Sequence, residues 1–329
     1  MFNWKHSLLG FALAATALVT ANAPAQAQDD YPKRPITLVV PWSPGGAADI
    51  IARLLAEPMS EALGQPVVVE NRPGAGGTVG SALVANAEPD GYTILMGNVA
   101  SQGIAAAFYK DTIPYDVLED FTPVTQLIQQ PNVLLVQNDF EAQTMDDLVT
   151  YLKDNPGEIY ATPGVGNSPY LTFELIKNRY GLDMINVPYD SGAEVNNALA
   201  AGQVMIAINN LPESITATKN GAARPIAVTA PERNPLLPDV PTFKELGQDI
   251  VAISWQGLFV PAGTPDEIVT KLYDAAVLAL EDPDVVARNA DLGSVPVGSS
   301  PAEFHDFVAS ELNNWAEMVA LAAATEANK

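Results

Sequence analysis

The sequence predicts an α/β protein with mainly parallel sheets, built as two units joined by a hinge. Three observations predict it. Short apolar, β-branched runs alternate with helical stretches, as strands covered on both faces do. The alternation breaks near Gln126 and restarts at Val133. The chain has 329 residues, more than one average domain. Its 48% hydrophobic content is enough to support a packed core.

Ile36–Val40 is an apolar run ended by Pro41 and reads as the first strand. Ala47–Leu63 has helical spacing, with Ile50, Ile51, Leu54 and Leu55 on one side. Pro66–Val69 and Tyr92–Met96 read as strands, with a helix over Gly77–Ala87 between them. In the second unit, Val133–Val136, Ile159–Ala161, Ile185–Val187, Val204–Ile208 and Pro225–Val228 read as strands. Met145–Leu152, Leu171–Tyr180 and Glu194–Ala201 read as helices, with Gly181 as a C-terminal stop. Leu258–Val260 is a late strand. Thr264 is expected to cap a helix through Leu280, with Pro265 at its first position. Pro301–Ala323 is the last helix, and Phe304, Phe307, Val308, Leu312 and Trp315 form its core-facing stripe. Gln126–Asn132 and Ser254–Gly257 are the expected crossing points between units. They make domain 1 discontinuous, from residues 28–128 and 255–329, with domain 2 at 129–254. Two such connections form a hinge, and a cleft that closes on a ligand is a known use of that layout.

Residues 1–27 read as a cleavable secretory signal. Lys5 supplies the positive start, Ser7–Ala21 the apolar stretch and Ala25-Gln26-Ala27 the small-x-small cleavage pattern. The whole chain carries strong negative charge: 39 Asp and Glu face 16 Lys and Arg. That balance argues against nucleic acid as a partner. The absence of cysteine excludes disulfides, thiolate metal sites and cysteine nucleophiles. No metal or cofactor motif stands out. A Ser–His–Asp triad would need His305, which sits on the last helix and reads as a helix-face residue.

Three Gly-rich segments join strands to helices. Pro41-Trp42-Ser43-Pro44-Gly45-Gly46-Ala47-Ala48-Asp49 is the strongest. A helix start leaves backbone N–H groups unpaired and carries partial positive charge, so it can hold an anion without Lys or Arg. Asn71-Arg72-Pro73-Gly74-Ala75-Gly76-Gly77-Thr78 fails the dinucleotide fingerprint at Val79 and reads as a turn pinned by Arg72. Thr162-Pro163-Gly164-Val165-Gly166-Asn167-Ser168-Pro169 belongs to the second unit and could face the first loop across the cleft.

These segments, with Gly64-Gln65-Pro66-Val67-Val68-Val69-Glu70, Pro89-Asp90-Gly91-Tyr92-Thr93, Leu237-Pro238-Asp239-Val240-Pro241-Thr242 and Pro261-Ala262-Gly263-Thr264-Pro265, occur in one order. In that order the chain resembles the extracytoplasmic solute receptors of tripartite tricarboxylate transporters, the Bug proteins. The resemblance covers essentially all of the mature chain. It implies a two-domain, periplasmic binding protein-like (Venus-flytrap) fold. It implies a monomeric, non-enzymatic receptor without cofactor or metal, which captures a small organic carboxylate and delivers it to a two-component integral membrane permease. It also implies that the loops at Trp42–Ala47 and Gly164–Ser168 act as pincers. The pocket candidates are Trp42, Ser43, Gly45, Gly46, Ser101, Gly166, Ser168 and Asn209, with Ala47, Asp49, Gly164, Asn167 and Ser191 beside them. Glycine amides would bind oxygen, Trp42 would wall the cleft, and Ser101 would either donate its hydroxyl or cap a helix. Asp49 would either favour the helix start or accept a bond from a ligand amine or hydroxyl.

The second domain departs from the family pattern. Asn167 stands where Ser or Thr is usual, Tyr170 where His is frequent, Glu194 where Pro is usual and Asn209 where Asp is common. Replacing Asp by Asn at 209 removes a negative charge, which would tolerate a second ligand carboxylate better. The change could equally leave ligand choice untouched. Two other functions stay open on sequence alone: a secreted hydrolase using an acidic pair, and a carboxylate-binding module that signals to a membrane sensor.

Overall fold

The computed structural model describes residues 31–327. The expected signal segment, residues 1–27, lies outside the described residues. In chain order the elements are β1 (Ile36–Val40), α1 (Ala47–Leu63), β2 (Val67–Asn71), α2 (Thr78–Ala85), β3 (Thr93–Asn98), α3 (Ala105–Phe108), β4 (Phe121–Gln137), α4 (Met145–Asp154), β5 (Glu158–Thr162) and α5 (Ser168–Tyr180). They continue with β6 (Met184–Pro188), α6 (Gly192–Ala200), β7 (Ile206–Asn210), α7 (Leu211–Lys219), β8 (Ala223–Val228), β9 (Ile253–Pro261), α8 (Asp266–Leu280), α9 (Pro283–Leu292), β10 (Val295–Pro296) and α10 (Pro301–Ala327). Among the described residues no helix is long and apolar enough to cross a membrane.

The strands run in the order β2-β1-β3-β9-β4-β7-β5-β6, with β8 and β10 also paired to β4. Both flanks are parallel: β1 with β2 and β3, and β5 with β6 and β7. The centre is antiparallel, because β9 opposes β3 and β4 opposes β9, β7 and β8. β4 belongs to two sheets. Its residues 121–131 pair with β9, and its residues 132–137 pair with β7 and β8.

The two expected crossing points are therefore strands. Gln126–Asn132 lies within β4 and Ser254–Gly257 within β9. Alternate side chains of a strand face opposite ways, and β4 uses both faces. Leu134 and Val136 join Met145, Tyr160 and Phe173 under α4 and α5. Val133 and Leu135 join Val195, Leu199 and Ile215 under α6 and α7. A third core gathers Val39, Leu95, Trp255, Phe259 and Phe304, and it also takes in Tyr170 and Leu171 from α5. Each such large side chain contributes roughly 1.5–3 kcal/mol by leaving water.

Most expected elements form within a few residues of their expected ends, and Gly181 closes α5. Thr264 differs. Its hydroxyl donates to the Pro261 carbonyl at 2.7 Å, and Pro265 itself occupies the cap position of α8. Helices α3, α7 and α9 and strand β10 are not anticipated from the sequence.

Candidate functional site

The carboxyl ends of parallel strands are where open α/β sheets bind ligands. The pocket candidates lie on segments that follow such a strand or close it, except Ala47, Asp49 and Ser168, which lie in the first turns of the helices that come next. Residues 41–46 follow β1, and 99–101 follow β3. Residues 163–167 follow β5 and 189–191 follow β6, while Asn209 and Asn210 end β7.

The turn after β1 is held from within. Asp49 is 3% exposed, yet its carboxylate is fully engaged. It accepts from the Gly45 N–H at 2.8 Å, from Arg53 Nε at 3.0 Å and from Asn71 Nδ2 at 2.9 Å. Asn71 Nδ2 also donates to the Trp42 carbonyl at 3.0 Å. Burial alone would raise the Asp49 pKa, but the bonds from Arg53, Gly45 and Asn71 outweigh it and hold the carboxyl below its ordinary value. The Gly45 backbone has φ +84°, a left-handed conformation that glycine adopts without strain. Ser43, Gly45 and Gly46 are exposed. No side chain caps the start of α1 at Gly46. Trp42 Nε1 is buried and has no hydrogen-bond partner among the described residues. The Trp42 indole and Ser101 lie against Gly77, where a Cβ would fall 2.9 Å from Trp42 Cζ2 and 3.1 Å from Ser101 Cβ.

The opposite loop follows β5. Gly166 has φ +71°, and a Cβ there would fall 3.0 Å from the Phe108 ring. Phe108, at the end of α3, also meets Tyr170 of α5 edge-on, with centroids 6.4 Å apart. A Cβ on Gly76 would fall 3.0 Å from the ring of Tyr109, Phe108's neighbour. Trp42, the Gly76-Gly77 turn, Tyr109, Phe108 and Gly166 thus form a continuous series of contacts from the first sheet to the second.

The two loops are not equivalent. Asn167 caps α5: its Oδ1 accepts from the Tyr170 N–H at 3.0 Å, and its Nδ2 donates to the Pro163 carbonyl at 2.7 Å. Ser191 likewise caps α6 through the Glu194 N–H at 3.2 Å. Of these three helix starts, only α1 lacks a side-chain cap.

Several expected roles change on this geometry. The Gly45 amide is engaged by Asp49, so it is not free for a ligand. Asp49 has no oxygen left for a ligand amine and instead positions the loop. Ser101 is fully buried, with its Oγ accepting from the Asn98 N–H at 3.3 Å, and the side chain that caps this turn is Asn98, whose Oδ1 accepts from the Ala100 and Ser101 N–H groups at 3.1 Å. Asn209 is also fully buried. Its Nδ2 donates to the Gly192 carbonyl at 3.0 Å, and its Oδ1 accepts from the Asn210 N–H at 3.1 Å, so its amide is held inside the second sheet's edge. Ser168 is buried, and its Oγ accepts from Asn132 Nδ2 at 2.7 Å. Gly164 keeps its carbonyl on the Thr162 hydroxyl at 2.7 Å. Arg72 pairs with Glu70, and the turn after β2 is pinned by the Arg72 N–H on the Val40 carbonyl at 2.8 Å. His305 is exposed on α10.

Sequence reasoning missed Phe108, Tyr109, Asn132 and Glu213. Glu213 lies in the first turn of α7. A Cβ on Gly192 would fall 2.7 Å from Glu213 Cγ and 2.6 Å from Asn209 Oδ1. Burial pushes the Glu213 carboxyl up to about 7, against the pull of its own backbone N–H.

Comparison with known proteins identifies the family. The sequence model of the family described as TctC, tripartite tricarboxylate transporter family receptor, matches residues 51–323. Protein BugT of Bordetella pertussis is 35% identical over 307 residues, 93% of each chain. The solved structure of MatC from Rhodopseudomonas palustris with bound malate is 34% identical at a TM-score of 0.80, covering 88% of this chain and 100% of that one. R. palustris Rpa4515 with adipate is 34% identical at a TM-score of 0.83, covering 89% and 99%. On this match through nearly its whole length, together with the periplasmic binding protein-like fold, the chain belongs to the tripartite tricarboxylate transporter receptor family, whose members are solute-binding receptors.

Proposed function

We propose that the protein is a periplasmic receptor that captures a small organic carboxylate and hands it to a two-component membrane permease. Residues 28–128 and 255–329 form one lobe and residues 129–254 the other, with β4 and β9 as the hinge. The segment 1–27 directs export and is removed. The receptor binds its solute without chemical turnover.

One observation carries the ligand class. The start of α1 has no side-chain cap, the Trp42 indole N–H of the same turn is buried and unpartnered, and the adjacent Asp49 charge is neutralised by Arg53. This corner has hydrogen-bond donors to offer, and a carboxylate supplies the acceptors. Hydrogen bonds to charged groups contribute about 1.5–3 kcal/mol each, so a few of them suffice for micromolar affinity near −8 kcal/mol. The malate and adipate held by the two R. palustris proteins support the same ligand class.

A thermal-shift screen of mono-, di- and tricarboxylates tests the reading. A bound acid at about a hundred times its Kd adds about 2.7 kcal/mol of apparent stability. No shift with any acid, across the whole panel, would overturn the proposal. Trp42→Phe keeps an aromatic ring but removes the pyrrole part of the indole with its N–H. It should weaken the best carboxylate roughly tenfold, the equivalent of one charge-assisted bond, with only a modest fall in the melting temperature of the unliganded protein. Unchanged affinity in calorimetry would remove Trp42 from the site.

A further inference from the structure

The unpartnered polar atoms at the two strand edges differ in kind. Beside the first turn, the buried atom without a partner is a donor, Trp42 Nε1. Along the second edge, the buried atoms without a partner are acceptors: Asn132 Oδ1, Asn210 Oδ1 and Glu213 Oε2. Asn132 and Asn210 stand directly opposite each other on β4 and β7, and Glu213 follows three residues later. Gln102 Oε1 is also unpartnered on the first side, but it belongs to a fully buried, uncharged amide that packs against Gly97 and donates to Ser81 Oγ at 3.3 Å.

The helix starts repeat this asymmetry. Those of α5 and α6 are capped by Asn167 and Ser191, that of α1 is not, and that of α7 is also uncapped but carries Glu213 in its first turn. An anion therefore meets an unpaired carboxyl group beside the open helix start of the second edge and a neutralised one beside that of the first. The second edge offers oxygen atoms, one of them on a carboxyl group. Among the described residues no ion pair includes Glu213, whereas Asp49, the buried acid of the first edge, is matched by Arg53. A buried acceptor without a partner costs about 1–3 kcal/mol, and a ligand group that donates to it recovers that loss.

We propose that Glu213 is a specificity-determining residue that reads a hydrogen-bond donor on the ligand, so that the receptor prefers carboxylates bearing a hydroxyl or ammonium group over the same carbon skeletons without one. This assignment rests on the carboxylate-receptor reading and sharpens it. It also reverses the expectation drawn from Asn209. With Glu213 one turn beyond, the second edge keeps a carboxyl group and does not favour a second ligand carboxylate. Ionised Glu213 attracts an ammonium and accepts from a hydroxyl, and it repels a carboxylate at the same place. Gly192 makes room for this arrangement, since any Cβ there would strike both Glu213 Cγ and the Asn209 amide.

The test uses two matched series in calorimetry at pH 8: succinate, malate and aspartate, and propionate, lactate and alanine. The wild-type protein should bind the best donor-bearing member of a series at least tenfold more tightly than its donor-free parent. Glu213→Gln, which keeps shape and one acceptor, should shrink that gap severalfold, and most for the ammonium compound. Glu213→Ala should abolish it. Affinity for the donor-free parent should stay constant or improve in both variants, which a merely structural role would not produce. Equal affinity within both series, a preference for the donor-free parents, or a gap that survives both substitutions would overturn the Glu213 assignment while leaving the receptor reading intact. Failure of all six compounds, with none of the wider acid panel binding either, would overturn the receptor reading and this assignment with it.

Discussion

Asp49→Ala is expected to lower stability by about 3 kcal/mol and to weaken carboxylate binding roughly thirtyfold. The stability figure follows from the partners left behind. The Gly45 N–H loses its acceptor in a part-buried setting, Asn71 Nδ2 keeps only the Trp42 carbonyl, and Arg53 loses its counter-charge. Charged hydrogen bonds contribute about 1.5–3 kcal/mol each, but bonds that share one carboxylate do not add in full. Arg53 is half-exposed, so water compensates much of its loss. The binding figure follows from order. Asp49 holds Gly45 directly and Trp42 through Asn71, so the substituted turn must be ordered again by the ligand. Fixing even one or two residues costs on the order of 2 kcal/mol.

The same carboxylate sets a pH dependence. Its folded pKa lies below the ordinary value, so its contribution is fully present above about pH 4, the unfolded value. That contribution is lost as the pH falls through the folded pKa. Denaturant titration of wild type and Asp49→Asn at pH 7 and at pH 3 should show the difference between them shrinking on acidification. A constant difference would mean that the charge on Asp49 contributes nothing.

Gly166→Val should reduce carboxylate affinity by two orders of magnitude or more while leaving a folded protein. Two effects act together. A β-branched residue at φ +71° is strained by roughly 1–2 kcal/mol. Its Cβ would also fall 3.0 Å from two carbons of the Phe108 ring. The loop after β5 then has to back away from α3, and the contact series that runs from Trp42 to Gly166 is broken. Gly157→Val separates the two effects. Gly157 also has positive φ, +82°, but nothing lies within 4 Å of its added Cβ. It should show the loss of stability without the loss of affinity. If Gly166→Val bound as tightly as wild type, the β5–α5 loop would have no part in gripping the ligand.

Much of the layout was legible because apolar period and punctuation agree. Ile36–Val40, interrupted only by Thr37, and Leu258–Val260 are apolar runs, and Gly181 stops α5 where a glycine should. What escaped did so for physical reasons. β4 runs seventeen residues, but Pro123, Pro131 and the buried Gln126, Gln130 and Asn132 interrupt its apolar pattern, so half of it looked like a connector. α7 is built from Leu-Pro-Glu-Ser-Ile-Thr-Ala-Thr-Lys, whose Ser and Thr are weak helix formers and whose apolar period spans only two turns. The site was legible as loops and not as bonds. Nothing in the spacing of Asp49 and Asn71, twenty-two residues apart, announces that they share a hydrogen bond, and no neighbour in the sequence signals that a Glu213 oxygen is buried.

The seventeen-residue β4 strand has a consequence for taking the molecule apart. A cut at the sequence boundary near residue 129 would fall inside that strand. The second sheet would lose the continuous backbone on which β7 and β8 register, and the first would expose the face that β9 now covers. Neither fragment would inherit a finished edge, and each would carry a row of vacant amides and carbonyls able to recruit strangers. The two sheets are thus joined through shared, paired strands, β4 and β9, and neither is an interchangeable part.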